Sequence, residues 1–248
     1  MDFARFYDTY WEGKGDRVDR QRLELLAQCV APGESVLQVD CGPGWLPEML
    51  QARGVQVVAT DLSGVAVAMA RKRGVDAAQF DIDEGPLPFT DDRFDVVISD
   101  SQLEHRFDHE HALDEMARVL RAGGRLILLL PNTAHWRVRL WLLRGRFPYV
   151  ANTPTDWLHL RFFTLGDTRK LLARRGLVVE RIDGSASLWV EGLYPTFLRR
   201  GRIGRAYGRL AHRWPGLLAR DFIVVARKTT VHKAGFPGEA TSPGVARP

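Results

Sequence analysis

The segment from residue 36 to residue 45 constrains the fold more than any other part of the chain. It reads Val-Leu-Gln-Val-Asp-Cys-Gly-Pro-Gly-Trp, an apolar run followed by two closely spaced glycines. The apolar run predicts a buried strand. Gly42 and Gly44 predict a tight loop in which the backbone can approach a ligand, because glycine has no Cβ. A helix is then predicted to begin near Trp45.

The same alternation of strand and helix continues along the chain. Apolar strands separated by helices predict an α/β fold, a mostly parallel sheet with helices on both faces. Ligands of such sheets bind beyond the carboxyl ends of the strands. The predicted strands are 36–40, 55–60, 75–80, 93–99, 125–130, 177–182 and 222–226, and the predicted helices include 45–52, 64–73, 108–120 and 166–175.

The glycine loop does not follow the pattern of a dinucleotide site. Such a site has a third glycine that lets the helix pack closely, and this chain has Pro47 at that position. Proline suits the first turn of a helix, since its missing N–H would have no partner there. A pyrophosphate-binding dehydrogenase is therefore disfavoured.

Several further motifs follow the loop in a recognisable order. They are Ala-Thr-Asp-Leu-Ser at 59–63, Gln-Phe-Asp at 79–81, Phe-Asp-Val-Val-Ile at 94–98, Leu-Glu-His at 103–105 and Val-Leu-Arg-Ala-Gly-Gly at 119–124. In this combination the chain resembles the class I S-adenosylmethionine-dependent methyltransferases, especially the group that includes methionine-biosynthesis-W-like enzymes. The resemblance covers about 36–130 and, more loosely, 160–227. It implies a Rossmann-like seven-stranded sheet, a cap inserted after strand 5, and S-adenosyl-L-methionine as cofactor.

The resemblance assigns cofactor roles to residues at the strand ends. It implies that Asp61 accepts hydrogen bonds from both ribose hydroxyls and that Asp81 accepts one from the adenine amino group. Both could instead be ordinary turn or capping residues. The other implied cofactor contacts are Gly42, Gly44, Leu62, Ile82, Ser99 and Gln102.

The first strand departs from the family pattern at two positions. The family has an acid, an apolar residue and then glycine, where this chain has Gln38, Val39 and Asp40. Gln38 keeps a hydrogen-bond acceptor but lacks the charge that would pair with the cofactor ammonium group. Alternate strand residues face the same side, so Asp40 is predicted to point the same way as Gln38 and to replace the missing carboxylate. The alternative is that Asp40 only tolerates a glycine position and weakens binding.

Three histidines are candidates for a general base, His105, His135 and His159, with Glu104 and Tyr194 as further candidates behind them. An oxygen acceptor often needs such a base, and these three fall near the expected pocket. His105 could instead hold its loop by hydrogen bonds. The histidine spacing does not match a zinc site, so no metal is predicted.

The chain divides into three predicted regions. Residues 1–34 are predicted to be a helical lid, 35–228 the methyltransferase domain, and 229–248 a disordered tail. Two insertions within the domain, 132–163 and 185–218, are predicted to lie on the acceptor side. The first is rich in aromatic and arginine side chains, which suit an apolar, sugar-like or anionic acceptor, although it could also be a simple cap.

Composition narrows the class of protein. The two cysteines and the absence of an apolar leader predict a reducing, cytoplasmic setting. No nucleic-acid-binding motif accompanies the net charge of +5, so no nucleic-acid partner is expected. Arginines near one face of 202–213 predict either a peripheral membrane contact or a solvated helix face.

These observations predict methyl transfer to oxygen or nitrogen of a small-molecule or glycan/lipid-linked acceptor. Two alternatives stay open, a protein or nucleic-acid methyltransferase and a non-catalytic cofactor-binding partner. Ser-Asp-Ser-Gln at 99–102 lacks the motif typical of base N-methylation, which weighs against nucleic acid. The oligomeric state is left undetermined.

Overall fold

Seven strands form one sheet in the computed structural model, which describes residues 2–14, 18–199 and 201–229. In chain order the strands are β1 (Ser35–Val39), β2 (Gln56–Asp61), β3 (Asp76–Gln79), β4 (Phe94–Asp100), β5 (Leu120–Pro131), β6 (Leu177–Ser185) and β7 (Asp221–Lys228). Their order across the sheet is β3-β2-β1-β4-β5-β7-β6. The α/β Rossmann-like methyltransferase fold predicted from the sequence is confirmed.

Strand direction places most carboxyl ends at one edge of the sheet. Strands β1 to β5 pair in parallel, whereas β7 runs antiparallel to both β5 and β6. The beginning of β7 therefore lies at the same edge as the end of β5, where Pro131 pairs with Asp221. Residues from both halves of the chain meet at this edge.

Nine α-helices connect and cover the described strands. They are α1 (Phe3–Lys14), α2 (Arg20–Ala27), α3 (Trp45–Gln51), α4 (Gly64–Lys72), α5 (His109–Val119), α6 (Trp136–Leu143), α7 (Leu165–Ala173), α8 (Gly201–Arg213) and α9 (Pro215–Leu218), with 3-10 turns at Leu103–His105 and Thr196–Leu198. The two sheet faces bury separate cores. Leu37 and Val97 pack with α5 and α7, whereas Val36 and Ile98 pack with α2 and α3.

The N-terminal segment is two helices rather than one. Asp19 caps α2 by accepting a hydrogen bond from the backbone N–H of Arg22 at 3.1 Å. Leu23 and Leu26 of α2 are buried in the core with Leu46 of α3. Of the predicted lid 1–34, therefore, α2 is part of the core, and only α1 is placed to cover the strand ends.

The second predicted insertion, 185–218, packs both on itself and on strands β6 and β7. Val190, Leu193, Tyr194 and Tyr207 form a small buried cluster with neighbouring alanines. On α8, Ile203 and Leu210 are exposed, so the helix leaves apolar as well as basic side chains at the surface.

Two other predictions concern contact with a membrane and the C-terminal tail. Among the described residues, no helix combines the length and the apolar character needed to cross a bilayer. Thr229 is fixed by its backbone N–H, which donates to the carbonyl of Gly176 at 2.9 Å. The rest of the predicted tail, 230–248, lies outside the described residues.

Candidate functional site

A cavity opens at the carboxyl ends of β1, β2 and β4, directly beneath α1. Seven of the thirteen predicted site residues line it: Asp40, Asp61, Leu62, Asp81, Gln102, His105 and His159. The cavity has two ends of different chemistry. We call the part lined by Asp40, Asp61, Leu62 and Asp81 the donor end, because these are predicted cofactor residues. We call the part lined by His105, His159 and the start of β7 the acceptor end.

Asp61 fixes the shape of the glycine loop at the donor end. Its Oδ2 accepts a hydrogen bond from the backbone N–H of Gly42 at 2.7 Å, and its Oδ1 accepts one from the N–H of Ser63 at 2.8 Å. Each carboxylate oxygen keeps a second lone pair, so both can still bind ribose hydroxyls. Burial, and then the nearby charge of Asp40, raise the pKa of Asp61 to about 7.

Arg106 links three acidic side chains at the same end. Its guanidinium forms an ion pair with Asp40 and lies 3.2 Å from Asp81 and 3.4 Å from Asp83. Although burial opposes it, the charge of Asp40 raises the pKa of Arg106, so the guanidinium stays charged. The sequence analysis did not identify Arg106, although it directly follows the Leu-Glu-His motif.

Asp40 does not point the same way as Gln38. Strand β1 ends at Val39, and Asp40 adopts a left-handed conformation with φ of 55°, which breaks the alternation expected of a strand. Asp40 therefore lines the cavity, whereas Gln38 is buried without contributing to its lining. The Asp40 Oδ2 atom lies at ion-pair distance from Arg106 but not in hydrogen-bond geometry, so it retains acceptor capacity.

The other predicted donor residues support the cavity without lining it. Gly44 begins α3 with φ of 83°, and a Cβ there would lie 2.8 Å from the Cβ of Ala70 on α4. A Cβ on Gly42 would likewise lie too close to the side chain of Trp11. Ile82 is buried in the sheet core, and the buried Oγ of Ser99 has no hydrogen-bond partner among the described residues.

Two arginines that sequence analysis missed lie at the acceptor end. Arg22 of α2 lies 3.3 Å from Asp100 at the end of β4, and Arg220 pairs with Asp221 at the start of β7. The Arg220 guanidinium also donates to the carbonyl of Asn152 at 2.8 Å. The polar groups at this end thus come from four separate stretches of chain, which no local sequence pattern reveals.

Glu104, His105 and His159 converge at the acceptor end. One potential metal-ligand atom from each side chain, a ring nitrogen or a carboxylate oxygen, lies within 4.8 Å of those of the other two. Burial lowers the pKa of His105 to about 4 and also lowers the pKa of His159. Burial raises the pKa of Glu104 well above its ordinary value.

His135 lies elsewhere, and its predicted role as a base does not fit its position. It is fully buried at the start of α6, where its Nδ1 accepts from the N–H of Arg137 at 3.2 Å. Its Nε2 lies 3.3 Å from the hydroxyl of Tyr207. Nδ1 therefore caps α6, and Nε2 is taken up by the contact with Tyr207 of α8. Of the first predicted insertion, 132–163, the stretch at 152–159 reaches the cavity, and α6 does not.

Helix α1 is fastened over both ends of the cavity. Asp8 accepts hydrogen bonds from the Ser63 hydroxyl at 2.5 Å and from the N–H of Val65 at 3.1 Å. At the other end Tyr7 packs edge-on against His105, with ring centroids 6.5 Å apart. The predicted lid function thus fits α1 by position.

The lining of the cavity is predominantly acidic. It carries eight carboxylates, Asp40, Asp61, Asp81, Asp83, Asp100, Glu104, Asp156 and Asp221, and three arginines, Arg22, Arg106 and Arg220. Such a lining favours a ligand with positive charge. A cofactor with a sulfonium, an ammonium group, a ribose and an adenine fits the donor end, where acceptors for each polar part are present.

Comparison with known proteins identifies the family to which this chain is similar. Residues 20–191 match the family described as "Methionine biosynthesis protein MetW". A "Probable S-adenosylmethionine-dependent methyltransferase" of Mycobacterium tuberculosis is 32% identical over 163 residues, which cover 64% of this chain and 55% of that protein. The "Bifunctional methionine biosynthesis protein MetXA/MetW" of Rhodopirellula baltica is 31% identical over 171 residues, covering 63% of this chain and 27% of that protein.

Solved structures show the same fold. A SAM-dependent methyltransferase of Thermotoga maritima has a TM-score of 0.62 at 19% identity, with 92% of this chain and 99% of that chain covered. The chain spans about half the length of the mycobacterial relative. The matched family segment begins at α2, so it includes the core helix and leaves α1 outside.

Proposed function

This chain belongs to the MetW family, and we propose that its cavity binds S-adenosyl-L-methionine and transfers the methyl group to a small-molecule or glycan/lipid-linked acceptor. The observation that carries the proposal is the cavity's acidic donor end, where Asp40, Asp61 and Asp81 follow three strands of a methyltransferase fold. Oxygen or nitrogen is the expected methyl acceptor.

The donor end supports the proposal residue by residue. Asp61 would accept the ribose hydroxyls, Leu62 would lie on the adenine, and Asp81 would accept from the adenine amino group. Asp40 would face the ammonium group and would share its charge with Arg106. When bound, the cofactor supplies an activated methyl group on a positively charged sulfur that leaves as a neutral thioether.

The protein's contribution to this chemistry is orientation and the exclusion of water. α1 covers the cavity, and the Arg22–Asp100 and Arg220–Asp221 pairs fix polar groups at the acceptor end. With a pKa of about 4, His105 is neutral at pH 7. Neutral His105 is too weakly basic to remove a proton from an acceptor hydroxyl unaided.

The acceptor end favours a polar acceptor. Its lining includes two arginines, two histidines and several carboxylates, whereas Tyr149, Trp157 and Phe162, the exposed aromatics that follow α6, do not contribute. This is consistent with a hydroxylated or amino-bearing acceptor rather than a wholly apolar one.

A non-catalytic cofactor-binding partner is the second candidate. The observation that favours it is Arg106, whose guanidinium already occupies the position beside Asp40 where an ammonium group would bind. Such a protein would bind the cofactor and show no turnover.

Labelled cofactor and a cell extract separate the two candidates. We expect labelled S-adenosyl-L-methionine to yield a labelled product that mass spectrometry identifies, and calorimetry to show cofactor binding. Binding without any labelled product would favour the second candidate, and the absence of binding would contradict both. In the same assay Asp40→Asn should weaken cofactor binding about tenfold, since it removes a charge-assisted contact. Unchanged affinity would contradict the assignment of Asp40.

A further inference from the structure

Two backbone hydrogen bonds bring Glu104 and His159 together, although 55 residues separate them in sequence. The carbonyl of Glu104 accepts from the N–H of Leu160 at 2.7 Å and from the N–H of Arg161 at 3.0 Å. The His105 and His159 rings meet edge to face with centroids 5.1 Å apart. The Oε1 atom of Glu104 lies 4.0 Å from Nε2 of His105.

Each histidine has one nitrogen committed to the backbone. Nδ1 of His105 lies 3.1 Å from the carbonyl of Leu158, and Nδ1 of His159 lies 3.3 Å from the carbonyl of Pro154. A carbonyl only accepts, so each Nδ1 carries the proton. Each neutral ring then has its lone pair on Nε2, and neither Nε2 has a hydrogen-bond partner within the described residues. This is the arrangement that orients histidine ligands of metals.

The buried side chain of Glu104 is a second indication of a bound cation, independent of the histidine geometry. Its side chain is 1% exposed, and neither carboxylate oxygen has a hydrogen-bond partner among the described residues. A buried carboxylate without partners is costly, and a bound cation is one of the few ways to compensate it. Arg22, whose charge acts on Glu104, forms its ion pair with Asp100 instead.

We propose that Glu104, His105 and His159 bind one divalent transition-metal ion at the acceptor end of the cavity. Two imidazoles and one carboxylate suit Zn²⁺, Mn²⁺, Fe²⁺ or Co²⁺, whereas Mg²⁺ and Ca²⁺ prefer all-oxygen sites. All three residues line the cavity, so the ion has open positions facing the acceptor. Ligand bonds of about 2.0–2.2 Å require the three donor atoms to move together by roughly an ångström.

A catalytic role for this ion rests on the proposed function, whereas the binding of the ion by the protein does not. Coordinated to the ion, an acceptor hydroxyl would have a lower pKa and would release its proton to water more readily. The charged groups that face the site are Asp100, Asp156, Asp221, Arg22, Arg106 and Arg220.

Metal binding by the full chain tests the proposal directly. Protein freed of metal with a chelator is titrated with Zn²⁺ and Mn²⁺ by calorimetry, and its metal content is counted after dialysis. Co²⁺ is added separately, because its visible absorption reports nitrogen and oxygen coordination. We expect one ion per chain. Glu104→Gln and His159→Gln should each weaken binding at least about tenfold, since even losing a supporting group of a metal ligand costs that much.

His109→Gln is the matched control, because His109 is another partly buried histidine that lies outside the cluster. It should bind metal like the unaltered protein. Circular dichroism checks that each variant is folded, and His105→Gln provides a third ligand variant. Absence of stoichiometric binding, or equal binding by the ligand variants and the control, would overturn the proposal.

Cofactor calorimetry on the chelated protein separates this proposal from the proposed function. If the cofactor binds but no metal does, the metal site is wrong and methyl transfer stands. If metal binds but the cofactor does not, the metal site stands and methyl transfer fails.

Discussion

The guanidinium of Arg106 lies against the carboxylate of Asp40, and both side chains are buried at the donor end of the cavity. The same guanidinium reaches Asp81 and Asp83, so one cation offsets the repulsion among three acids, one that follows β1 and two that follow β3. This pairing holds together the edge of the sheet on which the proposed function depends.

Replacing Arg106 should therefore destabilise the fold. Arg106→Gln leaves buried carboxylates without their counter-charge, and we expect the free energy of unfolding to fall by about 3–5 kcal/mol in urea denaturation. Arg121→Gln is the control, because it removes an ion pair between Asp95 and a 55% exposed arginine side chain. That change should cost no more than about 1 kcal/mol. Equal losses in the two variants would contradict the role of Arg106.

The raised pKa of Asp61 predicts a specific dependence of stability on pH. The folded state holds this proton up to about pH 7, whereas the unfolded chain releases it near its ordinary pKa of 3.8. Between these values the folded state binds more protons, so the free energy of unfolding falls as pH rises. The contribution of one such group reaches about 1.4 kcal/mol per pH unit.

Urea denaturation at pH 5 and pH 7 checks this dependence. Asp61→Asn should flatten the decline, because it removes the group whose pKa is raised to about 7. Asp95→Asn is the control, since hydrogen bonds from Ser35 lower the pKa of Asp95, which titrates below this window. A slope that Asp61→Asn leaves intact would show that Asp61 is ionised at low pH.

Gly44 is predicted to be required for packing as well as for backbone conformation. Gly33 and Gly44 have nearly equal φ values of 81° and 83°, so alanine should strain both by about 1–2 kcal/mol. Only at Gly44 would the added Cβ press on α4, 2.8 Å from the Cβ and 2.9 Å from the Cα of Ala70. We expect Gly44→Ala to destabilise by about 1–3 kcal/mol more than Gly33→Ala in thermal or urea unfolding. Equal losses would mean that α4 moves aside freely.

Asp8 is predicted to fasten α1 over the cavity. Asp8→Ala removes its hydrogen bonds to Ser63 and Val65, so amide hydrogen exchange within residues 3–14 should become faster, and bound cofactor should dissociate faster. Thr9→Ala is the control, because the Thr9 hydroxyl bonds only to the carbonyl of Arg5 within the same helix. If both variants exchange alike, the docking of α1 does not depend on Asp8.

The sequence predicted the regular parts of the structure well because they depend on local patterns. Apolar runs and glycine breaks placed most strands within two residues of their observed bounds, and β1 differs by a single residue at each end. The same holds for Asp61 and Asp81, whose positions follow from the ends of β2 and β3. Once the strands are located, the edge of the sheet on which their ends meet is determined.

The parts that escaped prediction depend on geometry that no local pattern carries. The strand alternation assumed for Asp40 does not apply, because β1 ends at Val39 and Asp40 adopts a left-handed conformation. His135 occupies a plausible sequence position, yet its Nδ1 caps the start of α6 and its Nε2 contacts the hydroxyl of Tyr207. Arg22, Arg106 and the pairing of Glu104 with His159 arise from contacts between segments far apart in the chain.

The position of β7 also has a consequence for how the molecule is assembled during synthesis. Strand β6 pairs with β7 and is separated by it from the rest of the sheet, so β6 has no place in the sheet until β7 has been made. Arg220 and Asp221, at the start of β7, complete the acceptor end. A nascent chain that stops short of β7 can therefore pair β1 to β5 and assemble much of the donor end, while its acceptor end lacks Arg220 and Asp221.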